Sequence, residues 1–411
     1  MTPRPASDPR ALKAVEALYS PAALPDPYPL YEAVRAHAPG GVLHLPEWNA
    51  AFLTGHAANR AALSSPLALS GQGMGGAPAS DGMRLLQGMM LWRNGPDHRR
   101  LRGLVELAFT PRVVEEQRVL VRALVHDLLD AAQAREAAGT EMDLVAALAH
   151  PLPARVIMTM LGLGAGDEER FVRWSGSVAE LLGGANQSAE LLARIDADAR
   201  EMRAYFRDLA GELRARPRPG LLSALAAAQD GGERLSGDEL LSNAVLLLTA
   251  GHETTSNLIP GGLLELSTQS AAWAALTADP RRPGVADELL RVVSPVQLDG
   301  RTLSGPLLLE GAPLPAGTQV QVMLAAANRD PLVFPDPARL DWARPNAARH
   351  LAFAAGPHYC LGASLARLEI TEVYAALAER FPRLRVLDPR PPYKPNPVLR
   401  GPAELKVRLD G

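Results

Sequence analysis

The most informative segment of the chain is Phe353-Ala354-Ala355-Gly356-Pro357-His358-Tyr359-Cys360-Leu361-Gly362. It contains the only cysteine of the 411 residues. One cysteine cannot close an intrachain disulfide or supply a tetrahedral zinc set, so its remaining special uses are nucleophile, redox thiol and axial ligand. Gly356 and Gly362 let the backbone turn tightly and approach a flat group. The residues from Leu361 onward favour a helix, whose N-terminal amides would stabilise a thiolate.

The residues at set offsets around Cys360 choose among these uses. A buried, inert cysteine is the ordinary alternative, but it explains none of these neighbours. The segment resembles the pattern F-x-x-G-x-H-x-C-x-G of the cytochrome P450 family, in its soluble bacterial branch, and the resemblance runs from about Pro27 to about Leu405. The fixed positions are matched by Phe353, Gly356, His358, Cys360 and Gly362. Ala354 stands where many soluble members have a further glycine.

This resemblance implies a fold and a cofactor. The fold is mainly α-helical with small β-sheets, an α-rich triangular prism in which the haem lies between an oxygen-groove helix and the helix that follows the cysteine loop. The cofactor is haem b, with Cys360 as the axial ligand of the iron. The other fixed residues of the motif are implied to contact the cofactor.

Composition and charge bound the class of protein. Hydrophobic residues make up 47% of the chain, enough for a sizeable core, and its many alanines and leucines favour helix over strand. No internal segment reads as a linker, so we expect a loose N-terminal arm over residues 1–25 and a single domain over residues 26–411. The net charge of −3 gives no general reason to expect nucleic acid or an anionic membrane as a partner. Apolar runs are too short for a signal peptide or membrane anchor, so we expect a soluble, cytoplasmic protein.

Apolar periodicity predicts helices over residues 26–36, 97–109, 111–135, 144–163, 167–182, 188–216 and 236–259. Ser236 and Glu239 form a capping box at the start of the last of these helices, and Pro260 predicts a kink or a stop at its end. Strand-like pieces occur within residues 41–54, 296–309 and 319–324. The Gly-, Ala- and Ser-rich segment 70–82 predicts a surface loop or a mobile flap over a cavity.

The segment Ala250-Gly251-His252-Glu253-Thr254-Thr255 places a glycine and two β-branched residues inside a predicted helix, where they are poor helix formers. An acid beside an alcohol suits proton delivery during cleavage of an O–O bond at a buried site. The resemblance assigns Glu253 and Thr254 to the acid–alcohol pair of the family, and Ala250 and Gly251 to the haem contact. We expect Gly251 to leave room for the porphyrin face. His252 is expected to be structural, because a second strong axial ligand would block oxygen.

Two sets of charged residues follow from the resemblance. Glu288 and Arg291 match an E-x-x-R motif and, with Arg344, are implied to form a buried network that fixes the loop behind the haem. The second set is implied to bind the haem propionates, which need cationic donors, and consists of His98, Arg102, Arg301 and His358. Asn94-Gly95-Pro96-Asp97 departs from the Asp-Pro-Pro-Glu run that many relatives have before the histidine.

The substrate pocket is assigned by position in the family, and most of its candidates are apolar, which indicates a lipophilic substrate. The candidates are Leu85, Met89, Met90, Leu246, Leu247, Gln297, Leu298, Val398 and Leu399. Plain core packing is the alternative for each.

The resemblance implies a haem-thiolate monooxygenase that uses O2 and takes electrons from a ferredoxin-type partner with its reductase. Arg99, Arg100, Arg112 and Arg367 could offer a basic face to that partner. Two alternatives remain. One is a peroxide-driven or atypical haem-thiolate catalyst, and the other is a non-catalytic haem-binding sensor, which would need the cysteine ligand but not the acid–alcohol pair.

Overall fold

The computed structural model describes residues 8–71, 80–137, 141–183, 188–227, 229–230, 233–234 and 236–409. Most of the expected flap, residues 70–82, therefore lies outside the described residues. The chain divides into two compact units, a first unit of Met1–Ser70, Asn257–Cys360 and Leu377–Gly411, and a second unit of Gly71–Ser256 and Leu361–Ala376. Both units combine segments that are distant in sequence. The single domain over residues 26–411 stays a prediction.

The first unit is built around a small five-stranded sheet. The order of its strands is Val42–Leu45, Ala50–Leu53, Gln319–Val322, Asp299–Leu303 and Ala68–Leu69. Gln319–Val322 runs parallel to Ala50–Leu53 and antiparallel to Asp299–Leu303, a register that pairs Val320 with Arg301. Two further strand pairs belong to this unit, Leu307–Leu309 with Ala312–Leu314 and Arg385–Val386 with Lys406–Arg408.

Helices cover this sheet and contradict the expected loose arm. Residues Pro9–Leu18 form a helix that begins at an Asp8 cap, and Ala11 and Val15 are buried in a core cluster with Leu298. The arm is ordered there because its apolar residues recur at helical spacing and bury one face. The complete α-helices of this unit are Pro9–Leu18, Tyr28–Arg35, His56–Ser64, Ser270–Ala278, Val285–Val293 and Leu324–Asn328. Its short 3-10 turns are Pro21–Ala23, Pro39–Gly41, Pro46–Trp48, Ala347–Arg349 and Gly356–His358.

The second unit is mainly helical. Its complete α-helices are Asp81–Gly88, Gly95–Glu106, Pro111–Glu116, Arg118–Ala137, Pro151–Leu161, Glu168–Gly183, Ala189–Ala215 and Leu221–Ala227. A π-helical turn, Val145–Ala149, precedes Pro151–Leu161, and 3-10 turns occur at Met90–Trp92, Leu107–Phe109 and Ala165–Asp167. Its strands are Met142–Asp143, Gln229–Asp230 and Glu233–Arg234. The helices expected over residues 97–109, 111–135, 144–163, 167–182 and 188–216 lie within a few residues of these bounds, although the second and the third are each divided in the structure. Asp81–Gly88 and Leu221–Ala227 were not expected from periodicity.

Two long helices, Gly237–Ser267 and Ala363–Arg380, have residues in both units. The capping box is confirmed, because Ser236 N donates to Glu239 Oε2 at 2.9 Å and Glu239 N donates to Ser236 Oγ at 3.1 Å. Of the two outcomes expected at Pro260, a kink or a stop, the stop is excluded, since the helix continues to Ser267. Burial of the leucines beyond the proline, about 1.5–3 kcal/mol each, offsets its cost of about 3 kcal/mol. No described helix is both long and apolar enough to cross a membrane.

Glu369 is an ionisable group fully buried in the second unit. It lies on the helix Ala363–Arg380, and its hydrogen-bond partner is the side chain of Thr255 on the helix Gly237–Ser267. Burial raises the pKa of Glu369 from 4.5 to about 8, and the hydrogen bond from Thr255 opposes that shift. Three residues further on, Glu372 is also buried but pairs with Arg118 at 2.6 Å and Arg122 at 2.9 Å. The same helix therefore holds one carboxyl group stabilised as the neutral acid and one stabilised by cations.

We expect Glu369→Gln to flatten the dependence of stability on pH. Because the folded-state pKa is above the unfolded one, folding takes up a proton between pH 4.5 and about 8, and stability falls as pH rises through that window. The amide cannot ionise, so the variant should gain roughly 1–3 kcal/mol over wild type at the alkaline end. Urea unfolding at a series of pH values measures this. Glu372→Gln is the control and should lose stability at neutral pH; parallel pH profiles for wild type and Glu369→Gln would contradict the assignment.

Candidate functional site

The cysteine loop lies in the first unit and is closed by its own backbone. Cys360 N donates to the carbonyl oxygen of Phe353 at 2.9 Å, and Tyr359 N donates to that of Gly356 at 3.0 Å across the 3-10 turn Gly356–His358. The cysteine is half-buried. Phe353 is buried, and its ring lies 5.4 Å from that of His350 and 6.3 Å from that of Tyr359. The motif residues of this unit are thus held in one short, tightly turned loop.

Two positions of this loop adopt left-handed backbone. Gly356 has a φ of +71°, and a Cβ there would stand 2.5 Å from the carbonyl oxygen of Leu63, so this position requires glycine. Ala354 has a φ of +58°, which costs a residue with a side chain roughly 1–2 kcal/mol. A glycine at this position would avoid that cost. A Cβ on Gly362 would meet no atom of the described residues within 4 Å, which is the space that a flat cofactor would need.

The first unit also contains the charge network expected from the E-x-x-R motif. Glu288 accepts from Arg291 through both carboxylate oxygens at 2.7 Å, and Arg344 Nε donates to Glu288 Oε1 at 3.0 Å. All three side chains are buried. The remaining guanidinium donors reach backbone carbonyls of residues 328, 335, 336, 337 and 339. The network therefore fixes the irregular segment that precedes the cysteine loop.

Of the expected propionate donors, Arg301 and His98 are buried, and Arg102 and His358 are half-buried. Arg301 lies on the strand Asp299–Leu303, its side chain is 2% exposed, and it pairs with Asp299 at 2.6 Å. Sequence analysis missed Asp299, although its spacing of two residues from Arg301 on one strand puts both on the same face. In the second unit, His98 is buried on the helix Gly95–Glu106. Burial is the main cause that lowers the pKa of His98, and the positive charges of Arg102 and Arg99 lower it further. The charges of the two arginines near His98 would also attract an anion.

The acid–alcohol segment lies in a regular part of the helix Gly237–Ser267. Thr254 Oγ1 donates to the carbonyl oxygen of Ala250 at 2.8 Å, so the hydroxyl group occupies the preceding turn. Glu253 is buried, and its Oε1 lies 3.8 Å from Nδ1 of His252. The reason expected for Gly251 differs in the structure, because a Cβ there would meet Ile157 Cγ1 at 3.2 Å. This glycine lets the helix Pro151–Leu161 pack closely against the long helix.

Two of the expected pocket residues have other roles. Gln297 is fully buried, and its side chain bonds Tyr31 Oη at 2.8 Å and backbone carbonyls of the preceding helix end. Leu298 belongs to the core cluster that includes the N-terminal helix. Sequence position alone could not reveal these contacts, because their partners are distant in sequence. Both residues therefore have structural contacts, and their contact with a substrate stays a prediction.

The structure brings a different pair together at that end of the first unit. Val296 forms a β-bridge with Leu399, and Gln297 N donates to the carbonyl oxygen of Val398 at 2.8 Å. Val296 is only partly buried. The backbone contacts therefore hold Val296 beside the expected pocket residues Val398 and Leu399. In the second unit, the other candidates are all buried: Leu85, Met89, Met90, Leu246 and Leu247. Their contact with a substrate stays a prediction.

The residues present fit haem b. A single thiol suits a metal that a macrocycle already holds, and within the described ranges no group of three or more His, Cys, Asp or Glu side chains is arranged to bind a metal directly. The open space beside Gly362 could accept a flat cofactor, and the arginines Arg102 and Arg99 near His98 could attract its carboxylates. The donor set and the chemistry of the cofactor therefore agree.

Comparison with known proteins matches this interpretation. The model of the cytochrome P450 family matches residues 283–409. The monooxygenase PikC of Streptomyces venezuelae is 38% identical over 390 residues, 93% of this chain and 91% of that protein. The biotin biosynthesis cytochrome P450 of Bacillus subtilis is 34% identical over 399 residues, 94% of this chain and 97% of that protein.

Solved structures give the same result for the fold. P450BioI, in complex with an acyl carrier protein ligated to hexadec-9Z-enoic acid, superposes with a TM-score of 0.86 at 32% identity, covering 95% of this chain and 99% of that chain. Ligand-free CYP164A2 of Mycobacterium smegmatis gives a TM-score of 0.85 at 38% identity, covering 96% of this chain and 99% of that chain. The helix-rich fold with small sheets is thus the fold of these enzymes.

We expect Arg344→Leu to destabilise the protein by about 3–5 kcal/mol, because it leaves the buried Glu288 carboxylate with one cation fewer and frees the carbonyls that Arg344 holds. Denaturant unfolding measures the loss. Arg339→Leu is the matched control in the same segment. The Arg339 side chain is 64% exposed, so its ion pair with Asp341 should contribute less than about 1 kcal/mol to stability. Equal losses in the two variants would contradict a special role for the network.

Proposed function

Because the chain belongs to the cytochrome P450 family and is therefore a haem-b-dependent monooxygenase, we propose that it inserts one oxygen atom from O2 into a lipophilic small molecule, with electrons from a ferredoxin-type partner. The observation that carries this proposal is the cysteine loop, in which the sole cysteine follows a turn that only Gly356 can make. Enzymes of this family use O2 and a redox partner. What we propose beyond membership of the family is that the substrate is lipophilic and that the electron donor is a ferredoxin.

Cys360 is proposed as the axial ligand. Its thiolate would hold the iron, and the bound haem would supply a metal centre that binds and reduces dioxygen. The backbone bond from Cys360 N to the carbonyl of Phe353 fixes where the sulfur stands. The network of Glu288, Arg291 and Arg344 holds the preceding segment in place. The hydrogen-bond donors His98, Arg102, Arg301 and His358 are proposed to bind the propionates.

Glu253 and Thr254 are proposed to carry protons. Glu253 is a buried carboxyl group that can hold a proton at Oε1, and it precedes the hydroxyl group of Thr254 directly. Thr254 Oγ1 now bonds the carbonyl of Ala250 at 2.8 Å. If Thr254 releases this carbonyl, its hydroxyl hydrogen becomes available for a hydrogen bond to another acceptor in the site. Loss of such a proton-relay residue typically slows the assisted step by about 10²–10⁴-fold.

A lipophilic substrate is supported by the candidates Leu85, Met89, Leu246 and Leu399, which are all apolar. The structural neighbour P450BioI was crystallised with a fatty-acyl carrier protein, a lipophilic ligand of a related enzyme. A basic docking face for a ferredoxin is supported by Arg112, whose side chain is 89% exposed although it pairs with Glu116 at 3.2 Å. Arg100 supports it less, because its side chain is only 23% exposed where it pairs with Glu239. A cytoplasmic location stays a prediction.

We expect Cys360→His to abolish the absorption band that marks the carbonyl complex of ferrous thiolate-ligated haem. The wild-type protein should show this band after reduction and addition of carbon monoxide. Haem content, measured by pyridine extraction, is the control for loss of the cofactor. A retained band in the variant would exclude Cys360 as the ligand.

We expect Thr254→Ala to uncouple the reaction without preventing binding. Haem, substrate and oxygen do not need the hydroxyl group to bind, so NADH and O2 should still be consumed while product per NADH falls and hydrogen peroxide rises. Turnover driven by added peroxide should be spared more than ferredoxin-supported turnover. Thr254→Ser keeps the hydroxyl group and should remain coupled. Equal coupling in wild type and Thr254→Ala would favour an atypical catalyst, and no turnover in either would favour a sensor.

A further inference from the structure

The side chain of His252 links the acid Glu253 to a neighbouring helix. Its Nδ1 atom lies 3.0 Å from Oγ of Ser175, on the helix Glu168–Gly183, and 3.8 Å from Oε1 of Glu253. His252, Ser175 and Glu253 are all buried in the second unit. One ring nitrogen therefore faces both a fixed hydroxyl group and a carboxyl group at a site with little water.

Packing restricts the orientation of this ring. The ring of His150 meets that of His252 edge-on, with the centroids 5.7 Å apart and the planes at 63°. His150 directly precedes the helix Pro151–Leu161, whose Ile157 fills the space next to Gly251. Because the glycine brings that helix close, the imidazole of His252 is confined between two helices. Its Nδ1 atom is thereby kept on the side of Ser175 and Glu253.

Groups from several elements surround this ring. The titratable groups in contact with His252 include His150, from the start of the helix Pro151–Leu161, and Glu253, on its own helix. Glu369 approaches the same helix through Thr255, from the helix Ala363–Arg380. Ser175, from the helix Glu168–Gly183, contributes a neutral hydroxyl group. Glu253 thus supplies the carboxyl group that Nδ1 faces.

We propose that His252 is a positioning residue for Glu253. With its proton on Nδ1, the imidazole donates to Ser175 Oγ and presents a partial positive charge to the Glu253 carboxyl group, which holds that group in one orientation. A donor beside a carboxylate also stabilises its ionised form. This inference rests on the proposed role of Glu253 in proton delivery.

A packing role alone does not require this arrangement. A side chain that only fills the space beside His150 could turn its polar atom toward Ser175 without approaching Glu253. The observed Nδ1 lies near both, so its removal should change the proton equilibrium of the acid as well as the packing. An opposite charge within about 4–6 Å shifts the proton equilibrium of a carboxyl group by roughly tenfold to a thousandfold. The partial charge at Nδ1, 3.8 Å from Oε1 of Glu253, should act at the lower end of that range.

The test follows product per NADH against pH in the ferredoxin-supported reaction. Loss of the donor should raise the pH at which Glu253 loses its proton, so the alkaline limb should move up by about one pH unit in His252→Phe, a tenfold shift in the equilibrium. Ser175→Ala should move it in the same direction and serves if His252→Phe fails to fold. His252→Asn, which places an amide near the position of Nδ1, should restore the limb at least in part.

Ser177→Ala is the matched control. Ser177 lies on the same helix as Ser175 and is also buried, but it bonds Asp198. Its loss should reduce stability and leave the alkaline limb in place. If His252→Phe and Ser175→Ala also leave the limb in place while Glu253→Gln lowers product per NADH, the positioning role is overturned and the proposed function stands. If Glu253→Gln changes nothing, both are overturned.

A spectroscopic readout is independent of turnover. Histidine ring nitrogens can be followed by nitrogen-15 NMR in the diamagnetic carbonyl complex of the holoenzyme, and the signals missing in His252→Asn identify residue 252. We expect Nδ1 to carry the proton at neutral pH, and its signal to move in Ser175→Ala and in Glu253→Gln but not in Ser177→Ala. An Nδ1 that carries no proton at neutral pH would overturn the proposal.

Discussion

The first unit depends on the shared carboxylate of Glu288. This one group satisfies a bidentate arginine and a second arginine, and those arginines in turn satisfy the backbone carbonyls of a segment that forms no regular ladder. Isolated buried charges of this kind would be costly, and they are tolerated because each finds a partner. The segment that leads into the cysteine loop is held by side chains instead of by secondary structure. That is why an irregular stretch can hold the cysteine loop in one position.

In the second unit, successive residues of one helix are attached to different neighbours. Gly251 packs on Ile157, His252 meets Ser175, and Thr255 bonds Glu369. Between these anchors stands Thr254, whose hydroxyl group bonds a carbonyl of its own helix. The surrounding residues are thus fixed by tertiary contacts, while the hydroxyl group needs to break a local bond to change its partner. This division suits a helix that must be rigid as a whole and adjustable at one atom.

The sequence was sufficient for features that depend on local pattern. Helix positions followed from apolar periodicity, the start at Ser236 from its capping box, and the network of Glu288 from motif spacing joined to family resemblance. It was insufficient where a distant partner decides the role. Gln297 forms a hydrogen bond with Tyr31, and Gly251 packs against Ile157. Neither partner can be predicted from the residues that adjoin Gln297 or Gly251 in the sequence. The helix beyond Pro260 and the ordered residues Pro9–Leu18 likewise depend on burial that local propensity does not encode.

The left-handed alanine in the cysteine loop has a consequence for assembly of the holoenzyme. Glycine at position 354 would fit the folded backbone with less strain, but it would also allow the loop many more conformations before the cofactor arrives. Alanine at position 354 strains the folded loop, but it also reduces the number of conformations that the loop can adopt before the cofactor binds. Compared with a loop that has glycine at this position, the loop loses less conformational entropy when the cofactor binds. Affinity for the cofactor is increased because the protein without cofactor is already restricted.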